Sequence, residues 1–213
     1  MSEEWRKFLV NYPCKHYEKG QLIVCQDTSP TSCFFIKKGF VKTYVITAEG
    51  NEKPITFESR HDIFPVDTVF GHSEEAKYFY EAYTDCDIYQ IPQGDYVQFM
   101  KDHPRLFSRL FHYLIGRTLD YHQHISSLEQ AKAVDKLICA LSMLVKRFGK
   151  QIAKSRSHMT LPLTQQDLAN FLGLTRETTG TQLKVLEREG ILQYRRQKYV
   201  IHTERLQTLV EER

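Results

Sequence analysis

The sequence predicts an α+β chain in three successive parts: an N-terminal all-β roll, one long helix, and a compact helical module closed by a β-hairpin. Three observations carry this. Short β-branched and aromatic segments recur about every 8–12 residues as far as Pro92, with turn residues between them. A heptad-like apolar pattern then begins after Pro104. Finally, two short stretches with helix-capping residues flank a glycine between Leu163 and Leu192.

In the first part, Leu22–Cys25, Cys33–Ile36, Val41–Ile46 and Ile55–Phe57 read as strands, because branched and aromatic side chains fit a pleated, half-buried surface. Lys19-Gly20, Ser29-Pro30, Lys38-Gly39 and Glu49-Gly50-Asn51 punctuate them as turns. Even spacing without an internal repeat predicts a small all-β roll or sandwich rather than a solenoid, a jelly-roll-like double-stranded β-helix being the expected form, with residues 1–104 as one domain.

In the second part, residues 105–132, the positions Phe107, Phe111, Leu114, Thr118, Tyr121, Ile125 and Leu128 alternate spacings of four and three. Such a seam favours a facing helix, and a homodimer is the expected use. Leu106, Leu110 and Ile115 form a second apolar line, expected to pack on the β domain. Thr118, Gln123 and His124 make the seam imperfect.

The third part, residues 133–213, opens with an amphipathic helix over Val134–Phe148 stopped by Gly149. Lys150–His158 is polar and basic, and reads as a mobile connection. Thr164 and Asp167 then have the spacing of a capping box, Leu168 and Leu172 line a short helix, and small Ala169 permits close approach. Gly173 supplies a turn, Leu174 plugs the corner, and Thr175 caps a second helix with Leu183 and Leu186 inward. After Gly190, Ile191–Tyr194 and Tyr199–His202 alternate as two strands around Arg195-Arg196-Gln197-Lys198. Two helices across a glycine turn, followed by a hairpin, make a winged helix-turn-helix, whose second helix fits a major groove about 12 Å wide. A cationic hairpin tip beside it suits phosphates.

Charge agrees with this division. Up to Ala133, 15 Lys and Arg stand against 18 Asp and Glu; from Val134 onward 14 stand against 8. A basic third on a mildly acidic remainder suits a polyanion-binding module. No apolar run reaches the roughly 18–20 residues of a membrane span. The acidic N-terminus MSEEWRKFLV lacks the pattern of a signal peptide, so no membrane partner and a cytoplasmic location are expected. Five irregularly spaced cysteines argue against a secreted disulfide framework.

The stretch LTQQDLANFLGLTRETTGTQLKVLEREGIL, with Thr175–Thr178 its most specific part, resembles the DNA-binding motif of the CRP/FNR family of bacterial cyclic-AMP-receptor-like regulators. The segment HYEKGQLIVCQDTSPTSCFFIKKGFVKTYVITAEGNEKPITF resembles that family's β-roll, with Gly20, Gly39 and Gly50 at its turns. The likeness runs from about Tyr12 to Leu206. It implies a homodimer through the long helix, palindromic double-stranded DNA, and regulation of RNA polymerase. Arg176 and Glu177 match the family's base-reading positions, and their chemistry agrees: an Arg fork fits guanine O6/N7, and Glu accepts from cytosine N4. Thr178 and Thr181 join them as expected base contacts. Thr164, Thr175, Lys184, Arg195, Arg196 and Lys198 are the expected phosphate contacts. Thr181 stands where the family often has a second arginine, and Thr179 and Gln182 stand at usually apolar positions, which leaves the target sequence open and implies a looser recognition helix.

The family's cyclic-nucleotide pocket needs a Gly-Glu-Leu turn and a phosphate-holding arginine. Between His61 and Pro92 this chain has no arginine, so a cyclic nucleotide is not the expected effector. An iron–sulfur cluster needs four thiolates in reach of one another, and Cys14, Cys25 and Cys33 are widely spaced. Haem could use His16, His61 or His72, but single histidines rarely signify one. No cofactor, metal site or catalytic residue is therefore expected. An unidentified small effector near Phe64, Phe70, Tyr78, Phe79, Tyr80 and Tyr83 remains open. An enzyme with a cupin-like metal site is disfavoured because the roll has no His-x-His spacing. The competing reading is a constitutive or architectural DNA-binding protein whose roll only dimerises.

Overall fold

A computed structural model describes residues 2–212. The chain forms two compact units, one up to Phe111 and the other from His112.

The first unit opens with α1 (Glu3–Leu9), which the sequence reading did not anticipate. The Ser2 hydroxyl accepts from the Trp5 N–H, and Glu3 and Glu4 occupy the first turn, where the helix dipole favours acids. Eight strands follow: β1 (Cys14–Tyr17), β2 (Leu22–Val24), β3 (Ser32–Lys38), β4 (Val41–Ile46), β5 (Glu52–Glu58), β6 (Ile63–Phe64), β7 (Phe79–Ala82) and β8 (Cys86–Pro92). A single turn, α2 (Val66–Val69), lies between β6 and β7, and α3 (Gln93–Asp102) follows β8.

The strands form two antiparallel sheets, in the orders β1-β8-β3-β6 and β2-β7-β4-β5. Alternation along β3 divides the core. Phe34 and Ile36 join Val41, Tyr80, Ala82 and Ile88 between the sheets. Cys33 and Phe35 face the other way, onto Leu9, Tyr96, Phe99, Met100 and Leu106. Trp5 stacks on Phe35 at 4.9 Å and Phe8 on Phe99 at 3.9 Å, so α1 closes this second cluster. Gly39 is obligatory at its turn: its φ is +96°, and a Cβ there would fall 2.5 Å from the Cys86 Sγ.

The long helix α4 (Pro104–Glu129) begins in the first unit and continues into the second. Leu106 and Leu110 pack on the β-roll cluster as expected, whereas Ile115, in the second unit, is exposed.

The second unit continues with α5 (Ala133–Phe148), β9 (Gly149–Ala153), β10 (Arg156–Met159), α6 (Gln165–Leu172), α7 (Arg176–Arg188), β11 (Leu192–Arg195), β12 (Lys198–His202) and α8 (Thr203–Glu211). The segment read as a mobile connection is instead the β9–β10 hairpin, and it extends the wing into the sheet β11-β12-β10-β9. Every residue of β9 is exposed, so the strand carries no apolar alternation for sequence reading to detect. Its partner strand β10, paired with β12, holds it in place. No helix among the described residues is long and apolar enough to cross a membrane.

Candidate nucleic-acid interface

The local chemistry around α6 and α7 forms the helix pair. The Thr164 hydroxyl accepts from the Asp167 N–H at 3.0 Å, and the Asp167 carboxylate accepts from the Thr164 N–H at 3.0 Å, a reciprocal capping box. Gly173 closes α6 with φ +63° and ψ 34°, a left-handed conformation that glycine adopts without steric cost. The Thr175 hydroxyl accepts from the Thr178 N–H at 3.1 Å and starts α7. Leu168, Ala169, Phe171 and Leu172 of α6 are buried, as are Thr179, Leu183 and Leu186 of α7. Buried Thr179 lacks a hydrogen-bond partner for its hydroxyl, the cost of a polar group where an apolar one would pack.

The opposite side of α7 is open. Arg176, Glu177, Thr181 and Lys184 are exposed, and Thr178 is half-buried. Glu177, Thr181 and Lys184 follow at spacings of four and three, one helical face. Among the phosphate candidates, Thr175, Arg195, Arg196 and Lys198 are exposed, whereas Thr164 is half-buried with its hydroxyl committed to Asp167. Arg195 pairs with Glu187 at 2.6 Å, which ties the wing to the recognition helix. Arg195 and Lys198 are opposite in the β11–β12 ladder, so Arg196 and Gln197 form a two-residue turn. Both have positive φ, 47° and 66°, as a type I′ hairpin turn requires. That geometry lifts Arg196 to the hairpin tip.

On α4, Phe107, Phe111, Thr118, Tyr121 and Ile125 are exposed, and Leu114 and Leu128 are half-buried. Ile115 and Leu119 are exposed too, at 46% and 57%, and widen the apolar stripe beyond the seam read from sequence. Asp120 lies 3.8 Å from both Arg117 of α4 and Arg147 of α5.

Sequence reading treated His124 as a flaw in the seam, but the structure gives it a partner. Its ring stacks on Phe171 of α6 with centroids 3.8 Å apart and planes 15° from parallel. It is 9% exposed, its Nδ1 has no hydrogen-bond partner, and burial pulls its pKa down to about 4. The unfolded imidazole titrates near 6.5, so below that pH the unfolded chain binds a proton the folded chain refuses. Stability is therefore full above about pH 6.5 and falls by about 3 kcal/mol as pH drops toward 4. Urea denaturation across this window should show a shallower acid-side loss in His124→Phe than in the parent. Identical losses would exclude His124 as the cause.

The roll shows what surrounds its interior. Thr43 and Thr56 are opposite in the β4–β5 ladder and buried, and Glu58, opposite Val41, is buried on the same face. Lys42 is also buried, but it alternates to the other face and is held by Glu52 and by Glu81, the latter at 3.2 Å. Glu58 on the inner face of this sheet is an acid that is itself partnered within the structure. Cys33 and Cys86 are buried, and desolvation pushes their thiols up to about 12 and about 11, away from the reactive thiolate. Cys14 and Cys25 are exposed. His16 pairs with Asp87 at 2.9 Å, and His61 and His72 are exposed. Among the described residues no group of three or more His, Cys, Asp or Glu could hold a metal ion.

Two family profiles match the sequence: a cyclic nucleotide-binding domain over residues 14–103 and a Crp-like helix-turn-helix domain over residues 135–209. The chain is 26% identical over 187 residues to electron transport regulator A of Shewanella oneidensis, covering 88% of this chain and 73% of that protein. It is also 26% identical over 179 residues to the fumarate and nitrate reduction regulatory protein of Escherichia coli, covering 84% and 70%. The structure of FixK2 from Bradyrhizobium japonicum has the same fold, with a TM-score of 0.77 at 20% identity, covering 93% of this chain and 96% of that one. From its β-roll, long helix and helix-turn-helix, together with these matches, the chain belongs to the CRP/FNR family of transcription regulators.

Proposed function

We propose that the protein is a cytoplasmic, sequence-specific transcription regulator that binds a palindromic DNA site as a homodimer and acts on RNA polymerase. Residues 1–104 serve as the sensor, 105–132 as the dimerisation helix and 133–213 as the DNA-binding domain. The observation that carries this reading is the exposed, capped start of α7, where Arg176 and Glu177 stand free of the core beside a basic wing. In this reading Arg176, Glu177, Thr178 and Thr181 touch bases, while Thr175, Lys184, Arg195, Arg196 and Lys198 touch phosphates. Thr164 serves chiefly as the cap of α6, since its hydroxyl is engaged.

The signal acts at the β-roll and is not cyclic AMP. In support, no arginine lies between His61 and Pro92 to hold a cyclic phosphate. Selection from a pool of random duplexes tests the function directly. The expected product is a two-fold symmetric site with half-site centres about one helical turn, roughly 34–36 Å, apart. Recovery of no common sequence would overturn sequence-specific reading.

A further inference from the structure

The second unit contains a cavity of about 510 Å³ whose walls include Arg156, His202, Arg205, the turn at Gly190, and the Glu187–Arg195 pair. Arg156 on β10 and His202 at the end of β12 are directly opposite in the ladder, so their side chains emerge side by side on one face. Arg205 joins them from the first turn of α8. The His202 Nδ1 accepts from the Arg205 N–H at 3.4 Å, which leaves its Nε2 as the hydrogen-bearing donor.

The charges in this cavity do not balance. Glu187 is the only acid among its lining residues, and Arg195 already holds it at 2.6 Å. Among the described residues, neither the Arg156 nor the Arg205 guanidinium forms an ion pair or a side-chain hydrogen bond. Two unpaired arginine forks, an imidazole donor and the positive end of α8 therefore share one concavity.

We propose that this cavity binds a small phosphate ester, with Arg156 and Arg205 gripping the phosphate oxygens and His202 donating a third hydrogen bond. A dianion satisfies both forks, because the planar guanidinium matches phosphate geometry. The volume falls within the roughly 300–1,000 Å³ of small-molecule sites and leaves room for an organic group beyond the phosphate. Arg156 and Arg205 belong neither to the recognition helix nor to the hairpin tip, so the two proposed anion-gripping side chains are distinct from the proposed DNA contacts, although the Glu187–Arg195 pair in the wall borders them.

Calorimetric titration of the DNA-free protein with glycerol 3-phosphate, and separately with inorganic phosphate, tests the site. Saturable binding at one ligand per chain is expected, tighter for the ester; equal affinities would identify free phosphate as the ligand. Arg156→Gln and Arg205→Gln should each weaken binding by roughly tenfold or more. Each variant is checked for a cooperative thermal transition, and Arg156→Lys and Arg205→Lys, which keep the charge but lose the fork, should show a smaller loss. Three results would each overturn the site: no saturable heat at millimolar ligand, undiminished binding in either glutamine variant, or binding abolished instead by Arg196→Gln. The last would place the anion on the wing tip.

Discussion

The double variant Phe111→Glu, Ile125→Glu is expected to be monomeric at micromolar concentration, where the proposed function expects the parent chain to be dimeric, as measured by light scattering. Phe111 and Ile125 are 56% and 55% exposed, and Phe107, Ile115 and Leu119 extend the same stripe along α4. An apolar stripe this long is a liability for an isolated helix face and suits burial against a second copy. Fully burying a side chain of this size is worth about 1.5–3 kcal/mol, so several of them on each helix supply a stable interface. Glutamate at two of these positions places four like charges in the paired seam, and desolvating them costs more than the lost contacts alone. DNA affinity should fall with the dimer, because each half-site then binds without the effective concentration that linkage provides. Because both side chains are exposed in the single chain, folding should be little affected, and an unchanged far-ultraviolet spectrum would verify that. A double variant that stayed fully dimeric would remove α4 from the interface.

Much of this arrangement was legible in the sequence because the signals were local. The capping box at Thr164 and Asp167, the left-handed Gly173 and the Thr175 cap each declare themselves within four residues. Strand β4 was read at its observed bounds, Val41–Ile46, because its branched side chains are flanked by glycine turns. What escaped depends on distant partners. Strand β9 is exposed throughout, with no apolar alternation, and exists through its pairing with β10. Helix α1 is short, and Trp5 and Phe8 gain their role only by stacking on Phe35 and Phe99. His124 looked like an interruption of the seam because nothing near it in sequence announces Phe171, 47 positions onward, as the surface it stacks on.

Arg176 and Arg196 should fail in different ways when each is replaced by alanine. Arg176 is the first residue of α7, exposed and directly after the Thr175 cap, and in the proposed reading its fork meets a base edge. Arg196 sits in a two-residue turn with φ 47°, a position that displays charge without a helix to aim it. A bidentate arginine–guanine contact discriminates by roughly 1–3 kcal/mol, so Arg176→Ala should weaken a cognate palindrome by that amount per half-site and flatten preference at one base pair. Scrambled duplexes should scarcely register the change. Arg196→Ala should instead weaken cognate and scrambled duplexes alike and reduce the salt slope by about one unit per half-site, since one fewer counterion is released from each. A salt series on both duplexes separates the two patterns. Unaltered sequence preference in Arg176→Ala would mean that α7 does not present its first turn to the bases. A change of base preference in Arg196→Ala would move the wing from holding the backbone to reading the groove.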